Sequence, residues 1–442
     1  MTGTPIDTAT SPTEQGAAKL NRVMGTFSLT VFGLAYLVPL TVFTTFGAVT
    51  EITQGHLPLA YVVTTIAMFF TALSYAVLVR KIPSAGSAFA YVSAAFGKRA
   101  GFATGWTLLL DYLLLPAINY LIIGIYLNAY FPGIPSSLFI IAAILLVTGL
   151  NVVGVDVVKR ASLLLVVAQI VFAAVFVAIV FLRPETEFVS YPFYSPGLEW
   201  AGLLAGAAIL CLSFLGFDAV STLSEEARDP EKSVPRAILL TALLGGAIFI
   251  VLSYAGTLVL GDWRQIQSAD TAGLEVMKPL GPIVSAAFIA AYLAGCVASA
   301  IASQASVSRI LFAMGREGQL PKSWFGHLDR RFNTPTYAIC TVGLFSLIAV
   351  FISLESLASL ISFGALFAFS IVNLSVPFIF REKLGRKTGA IILRYLVCPI
   401  IGLLLTIWLW FSLSGLALMI GLLWLVVGLI ISFTYKSAEA PV

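Results

Sequence analysis

Apolar stretches of about 20 residues or more, the length that crosses a bilayer's hydrocarbon core, recur along the whole chain with short polar segments between them. They predict twelve spans, at roughly 27–53, 58–80, 101–130, 136–154, 160–183, 200–223, 236–260, 281–313, 335–353, 356–379, 393–413 and 416–435. The basic residues sort with this pattern. With both termini on one side, 22 of the 25 Lys and Arg residues fall there, and only Arg183, Arg264 and Lys278 fall opposite. Retained cytoplasmic loops carry the positive excess, so both termini are expected to be cytoplasmic. A wrong span count would scramble the partition.

Two of these spans are interrupted. The first contains Gly33 and Pro39, and the sixth contains Gly216 with Ser213, Ser221 and Thr222 around the carboxylate of Asp218. Proline removes a helix donor and glycine weakens a helix. Broken membrane helices are tolerated where the freed backbone lines a cavity. Two breaks five spans apart are the spacing of a five-plus-five inverted repeat whose site lies where the breaks meet. The expected repeats cover approximately 27–183 and 200–379, with two extra helices in 393–435. The hinge candidates are Gly33, Pro39 and Gly216, and the substrate-site candidates are Tyr36, Thr41, Thr44, Asp111, Ser213, Phe214, Leu215, Gly216 and Asp218.

Asp111 and Asp218 are the acids deep in the spans, where no Lys, Arg or His lies to pair with them. An ionised Asp at bilayer centre costs about 2.5–3.5 kcal/mol even on lenient scales. Each is therefore protonated, solvated by a cavity and helix ends, or partnered by an arriving ammonium or proton. For Asp111 the alternative is a structural acid braced by Tyr112 or a neighbouring span. It shares a face with Asn119, and Pro116 is expected to loosen the helix between them. The first break reads Ala35-Tyr36-Leu37-Val38-Pro39, with no glycine pair from which to build a nest for a substrate carboxylate. Tyr36 either offers an aromatic face to an ammonium group or packs as an ordinary aromatic.

Composition fixes the setting. The chain has 442 residues, 59% of them apolar and 10% charged, with a mean hydropathy of +1.00, which describes an all-α integral membrane protein. The net charge of +4 reflects topology, so nucleic acid is not an expected partner; membrane lipids and a small solute are, and monomer or dimer stays open. Residues 1–22 read as a disordered cytoplasmic tail, 23–435 as the twelve-span domain and 436–442 as a second cytoplasmic tail. Cys211, Cys296, Cys340 and Cys398 sit in separate spans and are expected to be buried, and His56 and His327 fall in loops, so no metal, cofactor or catalytic residue is expected. No clustered nucleophile or repeated pore motif supports an embedded enzyme or a channel.

Smaller features have plainer readings. Arg80–Phe102 reads as an interfacial helix on the cytoplasmic face, and Pro184–Trp200 as an aromatic interfacial loop or a lid. Glu225, Glu226, Arg228, Asp229, Glu231 and Lys232 read as a solvated loop, with a gating ion pair as the alternative. Gly295, Ser299, Ser303 and Ser306 form a small-residue stripe suited to close helix packing, or to an ion site against the first span.

The segments GFDAVSTLSEEARDPEKSVPRAI (Gly216–Ile238), PSAGSAFAYVSAAFGKRAGFATGW (Pro83–Trp106) and GVDVVKRASLL (Gly154–Leu164) resemble the amino acid–polyamine–organocation transporters. The resemblance implies a LeuT-type fold and secondary active transport. A narrower likeness to bacterial putrescine importers rests on GLAYLVPLTVFTTFG (Gly33–Gly47), GWTLLLDYLLLPAINYL (Gly105–Leu121), ASQASVSRILFAMGR (Ala302–Arg316) and ISFGALFAFSIVNLSV (Ile361–Val376). It implies import of putrescine or a related amine across a bacterial inner membrane, with an amino acid permease or exchanger as the alternative. The GFDAVST run also occurs in relatives that carry neutral amino acids, which implies an architectural Asp218. Two positions depart from what the resemblance implies. Thr44 stands where putrescine importers typically carry Asp, and Gln169 where some proton-coupled relatives carry Lys. Proton and sodium both stay open as the driving ion.

Overall fold

The computed structural model describes residues 22–434 apart from 85, 317, 319, 330, 333, 386, 387, 412 and 414, with the side chains of 155–162 and 432–434 also left out. The predicted tails before Arg22 and after residue 435, with Lys19 and Lys436, and Arg330, Arg386 and Lys387 lie outside the described residues, as do the side chains of Lys159 and Arg160.

The described chain is helical from end to end. In order it forms α1 (Thr26–Leu37), α2 (Val42–Ile52), α3 (Leu57–Lys81), α4 (Ser87–Phe96), α5 (Lys98–Tyr130), α6 (Ser136–Val153), α7 (Val155–Leu182), α8 (Trp200–Leu210) and α9 (Pro230–Leu260). There follow the short α10 (Ala272–Met277), α11 (Pro282–Arg316), α12 (Lys322–Phe325), α13 (Thr336–Phe345), α14 (Leu354–Ile379), α15 (Arg381–Leu384), α16 (Gly389–Ile392), α17 (Cys398–Trp410) and α18 (Gly415–Thr434). Among the described residues ten segments are long and apolar enough to cross a membrane. Two shorter apolar ones, Thr336–Val350 and Gly415–Ile431, fall at the predicted ninth and twelfth spans.

The first and sixth spans are broken, as the LeuT-type expectation requires. The first is α1 and α2 joined by a 3-10 turn at Pro39–Thr41. Pro39 cannot donate to the helix ladder, and Val38 before it takes φ 53°, a left-handed conformation that is strained for a β-branched residue. Gly33 does not interrupt the helix. It lies inside α1, where a Cβ would come within 2.5 Å of the Thr241 hydroxyl, so its smallness serves close packing against α9. The sixth span runs as α8, a 3-10 turn at Cys211–Phe214, an extended Leu215, Gly216 at φ +134°, and a 3-10 stretch at Ala219–Glu226.

Three expectations need correction. Pro116 does not open the third span; α5 runs through it unbroken over Lys98–Tyr130. The helix predicted at the interface is α4, and it is tucked inward: Tyr91 is fully buried, edge-on to Tyr75 at 6.0 Å, and Ser221 Oγ donates to Ser87 Oγ at 2.7 Å. Cys211 and Cys296 are buried, but Cys340 is exposed on the outside of the helix array and Cys398 is half-buried. Apolar helix faces turned to lipid leave room for such side chains.

Candidate substrate site

The two breaks meet. A Cβ at Gly216 would stand 2.8 Å from Tyr36 Cβ and 3.1 Å from the Gly33 carbonyl oxygen. Only a residue that tolerates positive φ and has no side chain fits there. Around this contact the chain satisfies its freed backbone groups with side chains. Ser299 Oγ on α11 donates to the Tyr36 carbonyl at 2.8 Å, and Asn119 on α5 donates to Ser299 Oγ at 3.0 Å. Asn119 therefore reaches the end of α1 through one serine.

Asp218 is braced inside the second break. It accepts from Tyr112 Oη at 2.6 Å and from the Gly216 amide at 3.2 Å. The brace expected of Tyr112 thus goes to Asp218 rather than Asp111. Tyr112 in turn stands edge-on to Tyr36, with ring centroids 6.3 Å apart. Asp111 is as deeply buried, and its Oδ1 has no hydrogen-bond partner. It is held where α14 crosses α5, since a Cβ at Gly364 would come within 2.9 Å of the Asp111 amide nitrogen. The hydroxyls of Tyr36 and Tyr75 are buried without partners as well. Unmatched buried polar groups are costly, and Tyr36 on α1, Tyr75 on α3 and Asp111 on α5 bring three of them into the interior.

Two cavities open on this region. A small one of about 20 Å³, room for a single water, is lined by Tyr36, Leu37, Val38, Thr41, Thr44, Asn119 and Ser299 among others. A larger one of about 320 Å³ opens on the face opposite the basic one and is lined by Thr44, Thr45, Leu212, Asp270, Glu355 and neighbours. Thr44 and Leu212 line both, and so form the partition between them. The Thr44 hydroxyl is hydrogen-bonded to Tyr292 Oη and lies 3.4 Å from Thr41 Oγ1.

Of the predicted residues, Tyr36, Thr41 and Thr44 line the small cavity. Ser213, Phe214, Leu215, Gly216, Asp111 and Asp218 line neither. Phe214 packs edge-on against Phe249 at 5.2 Å, and Ser213 Oγ lies 3.2 Å from Tyr61 Oη. Asp111 lies one helical turn from Leu115, which does line the small cavity, on the side toward the basic face. Leu212, Asp270 and Glu355 were absent from the predicted set: Leu212 is an ordinary apolar span residue, and the two acids lie at loop ends. Gln169 is fully buried against Gly295, where a Cβ would come within 2.4 Å of Gln169 Oε1.

At the basic face the end of the broken sixth span is tied to α11 and to the segment before α1. Glu226 and Arg309 form an ion pair at 2.8 Å with side chains 5% and 13% exposed, so Glu226 does not belong to a solvated loop. Val23 and Met24 amides donate to the Glu226 carbonyl at 2.9 and 3.0 Å, and Arg228 N donates to the Met24 carbonyl at 3.0 Å. The segment before α1 is thereby tied to the end of the broken sixth span. The aromatic loop 184–199 lines neither cavity; it is pinned to the opposite face by Tyr191 Oη to the Gly261 carbonyl (2.9 Å) and by His56 to Ser195 (2.9 Å).

A family model, amino acid permease, matches residues 28–439. The chain belongs to the amino acid permease family, in the amino acid–polyamine–organocation superfamily. It is 39% identical over 434 residues to the low-affinity putrescine importer PlaP of Escherichia coli K12, covering 96% of each chain. It is 27% identical to the branched-chain amino acid permease BcaP of Bacillus subtilis, over 95% of this chain and 94% of that one. It is also 27% identical to the methylthioribose transporter of the same organism, over 98% and 96%. This permease is a multi-span membrane transporter and not an enzyme.

Proposed function

We propose that the protein imports a small organic amine, putrescine or a close relative, across a bacterial inner membrane, with both termini cytoplasmic. Its two inverted repeats cover about 27–183 and 200–379, with two helices added at 393–435. The observation that carries the substrate class is the charge inventory of the site. Two buried carboxylates lie at the breaks, Asp218 within the second and Asp111, with an unpartnered oxygen, one helical turn from the lining of the small cavity, and no Lys, Arg or His lines either cavity. A carboxylate without a protein cation suits a solute that brings its own ammonium. The likeness to a putrescine importer over 96% of the chain supports the same reading.

In this reading the amine enters from the large cavity, passes Thr44 and Leu212, and settles at the first break with an ammonium directed toward Asp111. Asp218 keeps the second break in shape. The Glu226–Arg309 pair and the Met24–Ala227 backbone pairing close the cytoplasmic side while the outer cavity is open. Release requires them to part. The test is ligand-induced stabilisation of the purified protein. A ligand at about 100 times its Kd adds about 2.7 kcal/mol to stability, so putrescine should raise the Tm where neutral amino acids do not. Stabilisation by neutral amino acids alone would favour the amino acid permease alternative.

A further inference from the structure

One part of the basic face gathers cations around an aromatic pair instead of around carboxylates. Lys81 ends α3, and its Nζ donates to the Ile379 carbonyl at 3.1 Å while lying 5.1 Å from the ring centre of Phe380. Lys383 stands over the same ring at 5.2 Å and over Tyr395 at 5.5 Å, and the Arg394 guanidinium lies 5.6 Å from the Tyr395 ring. Phe380 and Tyr395 are stacked with centroids 4.5 Å apart, so one aromatic pair holds three cations. Arg394 and Tyr395 belong to a π-helical turn, Leu393–Val397, a rare geometry that concentrates at functional sites. Arg80 precedes Lys81 on α3, and the cations whose charge acts on it are Arg394 and, from α9, Arg236. Among the described residues, none of Arg80, Lys81, Arg236, Lys383 and Arg394 ion-pairs with a carboxylate, Glu382 beside Lys383 included. Cations held by ring faces and by one another keep their charge for an anion from outside.

The surface that runs from these cations into the span is apolar. α3 packs against both α9 and α17, which do not pack closely on each other. On α9, Arg236, Leu240 and Leu244 follow at helical spacing along one exposed face, and next to Arg394 an exposed row of Leu393, Val397, Ile400 and Leu404 continues along α17. We propose that this part of the basic face binds an anionic phospholipid, its phosphate among Arg80, Arg236 and Arg394 and its acyl chains along the two apolar rows. Guanidinium groups match phosphate oxygens in pairs, and basic pockets between membrane helices are where anionic headgroups are held. A free phosphate would meet the cations and leave the apolar rows unused; a lipid uses both. The inference does not depend on which solute is carried.

The experiment follows the Tm of the purified full chain in detergent as dioleoylphosphatidylglycerol, dioleoylphosphatidylcholine or inorganic phosphate is added. It compares the wild type, Arg80→Gln/Arg236→Gln/Arg394→Gln and the control Lys232→Gln/Lys322→Gln/Arg331→Gln, which removes the same charge elsewhere on the basic face. The expected result is a Tm rise with phosphatidylglycerol in the wild type and the control, matched by neither phosphatidylcholine nor phosphate. In the site variant the phosphatidylglycerol concentration for half the effect should rise about a hundredfold, at about fivefold for each lost cation. Arg236→Gln alone, at an exposed position, should raise it about fivefold and keeps the comparison available if the triple variant is not monodisperse. Equal effects of the two lipids on the wild type, an unchanged half-effect concentration in the site variants, or an equal loss in the control would overturn the site. A full Tm rise with inorganic phosphate alone would overturn the assignment to lipid.

Discussion

Tyr36 and Gly216 lie in contact across the two broken helices, close enough that a Cβ at Gly216 would stand 2.8 Å from Tyr36 Cβ. Each break leaves backbone groups without helical partners, and each borrows side chains to satisfy them: Ser299 for the Tyr36 carbonyl, Asp218 for the Gly216 amide. The contact thus joins Tyr36 of the proposed site to the break of the sixth span.

Gly216→Ala should destabilise the protein. Its φ of +134° is strained for any L side chain, at about 1–3 kcal/mol, and the added methyl meets Tyr36. A lowered Tm in detergent together with reduced uptake is expected; an unchanged Tm would contradict the packing described.

Asp111→Asn keeps the size and most hydrogen bonding of the side chain while removing its charge. If the carboxylate meets an ammonium, amine uptake should fall at least tenfold, about 1.4 kcal/mol or more in kcat/KM. Intact expression with unchanged uptake would make Asp111 a structural acid.

The buried Glu226–Arg309 pair joins the end of the sixth span to α11 at the basic face, and removing one partner of a buried pair costs about 3–5 kcal/mol. Arg309→Ala should open this side, read as faster alkylation of a cysteine introduced by Ser213→Cys in a cysteine-free background. The exchange Glu226→Arg with Arg309→Glu should restore slow labelling. Equal labelling in all three would show that the pair is not a gate.

Thr44 stands between the two cavities, so an acid there would face any amine that passes. Thr44→Asp should strengthen competition by diamines more than by monoamines, read as inhibition constants in uptake assays. Loss of competition by both would mean that the Thr44–Tyr292 contact, rather than the local field, decides passage.

Much of this was legible in the sequence because membrane solvation leaves few options for the backbone. Twelve apolar segments had to be helices, and Pro39 and Gly216 had to mark breaks. The exact hinge was less legible. Gly33 looked like a breaker, yet glycine in a helix also serves as a packing notch, and Val38 took the strained conformation instead. Tertiary pairings were not legible at all. Nothing local in the run Glu225–Lys232 says that Glu226 meets Arg309 some eighty residues on, nor that Tyr112 turns to Asp218 and leaves Asp111 with an unmatched oxygen. Asp270 and Glu355 were invisible for a similar reason, since they lie outside the spans and only the fold brings them to one cavity.

The central claim is that a cationic amine without a carboxylate is the solute carried through the site beside Tyr36. Competition in proteoliposomes tests it most directly, with labelled putrescine as the solute and unlabelled monoamines, diamines and neutral amino acids as competitors. The account predicts that putrescine accumulates and that amines suppress its uptake while neutral amino acids leave it intact. Accumulation of a neutral amino acid, with putrescine neither carried nor competing, would contradict it.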